Sequence, residues 1–141
     1  MRSLAEEASP DDPSNVVLVG HSSGAQASLR YAEQYPVHGV VLVAATYTDL
    51  GDAHERASGY YPQGNNNNPY LFQDMLTNCK RENWYQFHSD DDPFIPLNEA
   101  ERIRDGLGLS STSYQMLPRH SHFFEYFDEL LEAIMVLTTE R

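Results

Sequence analysis

Basic residues, cysteine and long apolar runs are all scarce in this sequence. Lysine and arginine together number 9 against 21 aspartates and glutamates, and the formal net charge is -12. The clustered cations that bind nucleic-acid phosphates or an anionic membrane are therefore lacking. The single cysteine, Cys79, excludes an internal disulfide and is typical of a reducing compartment. The longest purely apolar run, residues 40–45, is too short to span a bilayer. We expect neither a nucleic-acid nor a membrane partner.

Motifs for metals and nucleotide cofactors are lacking too. The sequence contains no CxxC or HExxH pattern, which argues against zinc. Neither G-x-G-x-x-G nor G-x-x-x-x-G-K-[ST] occurs, which disfavours a nucleotide-binding module. Residues 1–12 are polar and acidic, without the apolar run of a secretory signal. We expect one domain over residues 1–141, without cofactor or metal, in the cytosol or nucleus.

What the sequence does contain is an alternation of short apolar runs and helical patterns. This order predicts an α/β fold with a parallel sheet, because such strands are buried on both faces. The predicted strands are residues 16–19, 40–45, 84–87 and 114–117, and the predicted helices are 23–35, 69–79, 98–106 and 123–138. In the third helix Ala100, Ile103 and Leu107 should face inward, and Gly106 or Gly108 should end it.

The first predicted strand and helix are joined by Gly20-His21-Ser22-Ser23-Gly24. Strand, G-x-S-x-G and helix in that order predict a nucleophile elbow that presents Ser22. The two glycines should relieve crowding around the bend, and the helix adds free N–H groups near a developing oxyanion. The alternative is a Gly-Ser turn without chemistry.

A serine nucleophile needs a base and an orienting acid, in the order Ser, acid, His. Asp90, Asp91 and Asp92 follow the third strand, and His120 and His122 follow the fourth. Ligands and reacting groups gather at such carboxyl ends of strands. Asp92 fits best because Pro-x-Ile-Pro follows it, with Asp91 second. His122 is preferred to His120 because it directly precedes the terminal helix. Spacing alone does not decide either pair, and a solvated acidic turn remains the alternative for Asp92. The remaining histidines are interpreted as structural: His21, His38, His54 and His88.

Four blocks in order, GHSSGAQASLRYAE, VVLVAATYTDLGDAHERASGYY, QFHSDDDPFIPLNEA and HFFEYFDEL, give the sequence a family resemblance. It resembles the serine hydrolases of the retinoblastoma-binding protein 9 and YdeN-like family. The resemblance implies a small α/β-hydrolase, with a three-layer parallel-sheet fold, that cleaves small esters or amides. It implies Ser22 as nucleophile, Asp92 as acid, His122 as base and the Ser23 amide as oxyanion donor.

The sequence departs from that family at three points. The family has further residues before Met1, with a first strand whose loop supplies a second oxyanion donor. We therefore expect an N-terminally incomplete hydrolase, in which one lost donor costs about 100- to 1000-fold in rate. The family's glycine before the catalytic histidine is Ser121 here. The Leu-x-Cys-x-Glu motif is absent, so retinoblastoma protein is not implied as a partner. The alternative function is a catalytically impaired binding or scaffold protein.

Residues 49–79 are expected to lie over the pocket, with a loop tip at the asparagine run 65–68. Four aromatic residues of this segment could line an acyl site, although ordinary packing is the better interpretation for any one of them: Tyr60, Tyr61, Tyr70 and Phe72.

Overall fold

The computed structural model describes residues 12–64 and 67–139. In this part of the chain four strands alternate with helices. The strands are β1 (Val17–His21), β2 (Gly39–Val43), β3 (Trp84–Ser89) and β4 (Tyr114–Leu117). The helices are α1 (Ser23–Gln34), α2 (Ala53–Ala57), α3 (Phe72–Asn78), α4 (Leu97–Leu107) and α5 (Asp128–Thr139). Short 3-10 turns lie at Pro13–Asn15 and Arg81–Asn83.

The four strands form one parallel sheet in the order β1-β2-β3-β4. Val19 pairs with Val41, and Val43 pairs with Phe87. All five residues of β2 are buried, as a continuous apolar run predicts for a central parallel strand. Because the strands are parallel, their carboxyl ends meet at one edge, where the elbow, the acid segment and the histidine segment all begin.

Side chains of β2 alternate between two apolar cores. Val40 and Leu42 pack in a core with α1, α3 and α4, whereas Val41 and Val43 pack on the opposite face against α5. Leu137 of α5 lies so close to β2 that a Cβ on Gly39 would meet its methyl groups at 2.7 Å. The sheet is thus covered by helices on both faces.

Most predicted elements are confirmed, with shifts of one to three residues at their ends. β4 has the predicted bounds, the three inward residues of α4 are buried, and Gly108 ends α4 in the left-handed conformation with φ 67°. The observed α3 is shorter than the predicted helix of residues 69–79, and α2 lies where no helix or strand is predicted. Residues 65 and 66 of the asparagine run lie outside the described residues, as do residues 1–11.

The start of the terminal helix was predicted wrongly. α5 begins at Asp128 rather than at residue 123. Phe123 has φ 57°, which no residue inside an α-helix adopts. His122 therefore lies in a loop, six residues before the helix, instead of directly preceding it. Within the described ranges, no helix is both long and apolar enough to cross a membrane.

Candidate active site

Ser22 lies at the sharp turn between β1 and α1. Its backbone has φ 58° and ψ -123°, a conformation that costs about 1–3 kcal/mol and is held only by surrounding structure. The Ser22 N–H donates to Val43 O at 2.9 Å, and the Ser22 carbonyl accepts from Ala25 N–H at 2.9 Å. The turn is thus tied to the neighbouring strand on one side and to the helix on the other.

The two glycines of the elbow differ in their surroundings. A Cβ on Gly20 would lie 2.3 Å from Gly24 O and 2.7 Å from Ala25 Cα. A Cβ on Gly24 would meet nothing within 4 Å. The expectation that both glycines relieve crowding is therefore correct for Gly20 and wrong for Gly24.

Asp92 faces the imidazole of His122. Its Oδ1 accepts hydrogen bonds from Phe94 N–H at 2.8 Å and Ile95 N–H at 3.0 Å, within its own loop. Its Oδ2 lies 2.8 Å from His122 Nδ1. The Asp92 side chain is 0% exposed and that of His122 is 9% exposed. One carboxylate oxygen fixes the loop, and the other is directed at the imidazole.

The neighbouring aspartates hold the backbone of the loop between β4 and α5, residues 118–127, which we call the histidine loop. Asp91 Oδ1 accepts from Ser89 Oγ at 2.7 Å and from Ser121 N–H at 2.8 Å. The Ser89 hydroxyl, and then the Ser121 amide, hold the pKa of Asp91 below its ordinary value. Asp90 Oδ1 accepts from Arg119 N–H at 3.4 Å. These two carboxylates contact loop amides rather than an imidazole.

Every second residue from 119 to 123 in the histidine loop has a left-handed backbone conformation. Arg119, Ser121 and Phe123 have φ values of 62°, 53° and 57°. His120, between the first two, stacks on Phe123 with ring centroids 5.3 Å apart and an angle of 4°. The alternation turns His120 toward the aromatic core and His122 toward Asp92, so the two histidines have different surroundings.

Glycine at position 121 should relieve strain in this loop. Ser121→Gly removes a left-handed penalty of about 1–2 kcal/mol, offset by about 0.4–1 kcal/mol of added unfolded-state entropy. We expect the free energy of unfolding in urea to rise by about 0.5 kcal/mol. Ser111 is an exposed serine whose φ is not positive, so Ser111→Gly is the matched control and should lower stability. A loss of stability in both variants would contradict the prediction.

His21, interpreted from the sequence as structural, connects the elbow to the histidine loop. Its Nε2–H donates to the carbonyl oxygen of His122 at 2.6 Å, and the two rings lie 4.9 Å apart. His21, which precedes Ser22 in the chain, therefore contacts His122, which is paired with Asp92. Among the described residues there is no hydrogen bond between Ser22 and His122. Catalytic hydrogen bonds are often long or poorly aligned before substrate binds. The sequence signal for His21 is its position inside G-x-S-x-G.

A second histidine lies beneath the loop between β3 and α4, residues 90–96, which we call the acid loop. His88 is 0% exposed, and its Nε2–H donates to Ile95 O at 3.2 Å. Burial lowers the pKa of His88, because the charged form would lose its hydration. Burial thus favours the neutral form of His88, and its hydrogen bond to Ile95 supports the loop that fixes Asp92.

Ser23 begins α1, directly after the candidate nucleophile Ser22. Within residues 12–64 and 67–139, no hydrogen bond uses the Ser23 N–H, which leaves this amide free at a positive helix end. A negatively charged oxygen next to Ser22 would find a donor there.

Arg30 of α1 fastens the segment that precedes α3. Its guanidinium donates to the carbonyls of Tyr60, Asn68 and Pro69 at 2.6–2.9 Å. It also lies 4.5 Å above the ring of Tyr70. The segment is thus attached to the helix that carries the elbow.

The aromatic residues of this segment are mainly packing residues. Tyr61 and Tyr70 are 2% and 6% exposed, and burial raises the pKa of both hydroxyls. Tyr70 and Phe72 pack against the core of α1 and α4, with ring centroids 5.6 Å apart. Tyr60 is half-buried. Ordinary packing, the preferred interpretation, describes Tyr61 and Tyr70. In the described part of the chain, no three His, Cys, Asp or Glu side chains are arranged to hold a metal ion.

Comparisons with known proteins agree with this architecture. Residues 2–130 match the alpha/beta hydrolase family. The chain is 37% identical over 123 residues to "Serine hydrolase RBBP9" of Rattus norvegicus, a match that covers 87% of this chain. It covers 61% of that relative, so the chain spans less than two thirds of its length. The ydeN gene product of B. subtilis has a similar fold, with a TM-score of 0.74 and 17% identity over 99% of this chain and 72% of that one.

Proposed function

Because the chain belongs to the α/β-hydrolase family, we propose that it is a serine hydrolase that cleaves small esters or amides. Ser22 is the nucleophile, His122 the base and Asp92 the acid that orients the base. The contact of 2.8 Å between Asp92 Oδ2 and His122 Nδ1 carries the proposal. It fixes the imidazole with its proton on Nδ1 and leaves Nε2 free to accept a proton.

The reaction has two halves with one covalent intermediate. In the first, His122 Nε2 takes the hydroxyl proton as Ser22 Oγ attacks the substrate carbonyl, and the new oxyanion accepts from the Ser23 N–H. His122 then gives this proton to the leaving alcohol or amine, and an acyl ester remains on Ser22. In the second half, His122 Nε2 takes a proton from a water molecule as that water attacks the acyl carbon, and it then returns the proton to Ser22 Oγ as the acid is released. Asp92 stays ionised throughout and stabilises the imidazolium.

The surroundings of the alternative residues support the choice of Asp92 over Asp91 and of His122 over His120. Asp91 is occupied by the Ser89 hydroxyl and the Ser121 amide. His120 stacks on Phe123. Asp92 is buried against His122, where water cannot compete for the hydrogen bond.

A hydrolase-fold binding or scaffold protein is the second candidate. Two observations favour it: β1 lies at an edge of the described sheet with Val19 47% exposed, and Ser23 N–H is the one oxyanion donor assigned among the described residues. An exposed apolar edge strand is a surface for pairing with another chain.

Covalent labelling with a fluorophosphonate decides between the two candidates. The wild type and the Ser23→Ala variant should both be labelled, because alanine at position 23 keeps the backbone N–H. Ser22→Ala should not be labelled. A wild type that is labelled no better than Ser22→Ala would refute the hydrolase and leave the binding protein.

A further inference from the structure

The most exposed large aromatic side chains of the described residues lie beside the candidate base. Phe94, Phe124 and Tyr126 are 58%, 70% and 67% exposed. Other aromatic residues of this size are buried or half-buried. Burying a phenylalanine is worth about 1.5–3 kcal/mol, so three exposed rings at one place are a specific feature of this surface. Phe94 follows Asp92 in the acid loop, and Phe124 and Tyr126 follow His122.

Two of these rings enclose the imidazole of His122. The Phe94 ring lies 5.2 Å from it at 84°, and the Phe124 ring lies 5.4 Å from it at 56°. The two phenylalanines are 6.2 Å apart in an edge-to-face arrangement. We call Phe94 and Phe124 the aromatic clip. Phe124 and Tyr126 also line a cavity of about 410 Å³, so one ring of the clip borders a space large enough for a small ring.

Shielding of the Asp92–His122 pair accounts for only one side of the clip. With the rings in place, the side chains of that pair are 0% and 9% exposed. The clip residues still leave more than half of each surface open to solvent. These open faces are available to an apolar group from outside the protein.

Charges around the cavity indicate a neutral ligand. Arg119 and Glu125 both line it, and their opposite charges leave no net attraction for an anion or a cation. The chain as a whole carries a net charge of -12, which disfavours anionic substrates further. A ligand held here would therefore be recognised by aromatic and apolar contact.

We propose that the aromatic clip binds the leaving group of the substrate, and that this group is a neutral aryl or arylalkyl alcohol or amine. The inference rests on the proposed function. His122 gives its proton to the leaving oxygen or nitrogen, so the leaving group lies against the imidazole in that step. The rings that pack on His122 are then its nearest apolar neighbours.

Two acetate esters test the inference, because benzyl and methyl alcohols have similar acidity and differ in the ring. The wild type should prefer benzyl acetate. Phe124→Ala should lower kcat/KM for benzyl acetate about tenfold, equivalent to about 1.4 kcal/mol, and for methyl acetate by no more than about twofold. Phe124→Leu should retain part of the preference. Met135→Ala removes a side chain that is 54% exposed on α5 and should leave both rates unchanged. Equal losses on both esters, or none, would overturn the inference.

Binding of the product alcohol separates this inference from the proposed chemistry. Saturation-transfer NMR should detect benzyl alcohol on the Ser22→Ala protein, and the signal should fall when Phe124→Ala is added. Absence of that signal overturns the inference even if both esters are hydrolysed. If neither ester is hydrolysed and no fluorophosphonate is taken up, the proposed function fails. Phe124-dependent binding of benzyl alcohol would then still support the apolar site.

Discussion

Asparagine in place of Asp92 should lower kcat for ester hydrolysis by about 10⁴-fold with the fold intact, as expected when an imidazole is held in the wrong tautomer. Asp92 Oδ1 accepts from two backbone amides, of Phe94 and Ile95. The carbonyl oxygen of an asparagine would keep those bonds and direct its NH₂ group at His122 Nδ1. Nδ1 would then have to accept, which moves the imidazole proton to Nε2. Nε2–H cannot take a proton from Ser22.

Measurement of kcat on a nitrophenyl ester checks this prediction, with thermal unfolding to establish that the variant is folded. Asp90→Asn is the matched control, since Asp90 is exposed and accepts one long hydrogen bond from Arg119 N–H. It should change kcat by less than about threefold, in line with exposed polar contacts. If Asp92→Asn stays within tenfold of the wild type while Asp91→Asn loses activity, Asp91 is the acid and the assignment is wrong.

The order of elements could be predicted from the sequence because each depends on local pattern. β2 is a run of apolar residues between turn signals, and α4 has inward residues at helical spacing and a glycine at its end. The parallel sheet then brings the ends of β1, β3 and β4 to one edge. The approximate place of the candidate site follows from that topology.

Which aspartate faces His122 could not be predicted with equal force. Asp90, Asp91 and Asp92 are consecutive and chemically identical, and they differ in the direction that the turn after β3 gives to each side chain. That direction depends on contacts with residues 119–122, about thirty positions later in the chain. Pro93 and the residues after it were a local signal for Asp92, but the partners of Asp90 and Asp91 have no local signal.

The start of α5 was mispredicted for a related reason. Phe123, Phe127 and Leu130 continue the spacing of a helix, yet Phe123 has φ 57°. The amides of His120 and Ser121 donate to Ser89 Oγ and Asp91 Oδ1 in the acid loop. These tertiary contacts fix the loop in left-handed turns, and Phe123 becomes buried from a loop instead of from a helix face. Tertiary contacts of this kind override local periodicity.

Alanine at Gly20 and alanine at Gly24 should change stability in opposite directions. The Gly20→Ala methyl group would meet Gly24 O at 2.3 Å, Gly24 C at 2.6 Å and Ala25 Cα at 2.7 Å. All three atoms belong to the backbone of α1 and cannot rotate away, so we expect a loss of about 3 kcal/mol, the upper part of the range for overpacking. Gly24→Ala meets nothing within 4 Å and replaces a helix glycine, so we expect a gain of about 1 kcal/mol.

Urea unfolding of the two variants measures the difference, which should be about 4 kcal/mol in the free energy of unfolding. A Gly20→Ala protein that cannot be recovered folded agrees with the prediction, provided that Gly24→Ala is recovered. Equal losses in the two variants would mean that α1 does not approach β1 as closely as described.

The close approach matters for chemistry as well, because the contact between Gly20 and Gly24 lies on either side of Ser22 in the chain and supports the turn in which Ser22 has φ 58°. Separating α1 from β1 would relax that turn, so Gly20→Ala should lower fluorophosphonate labelling even in the fraction that remains folded, whereas Gly24→Ala should leave it unchanged.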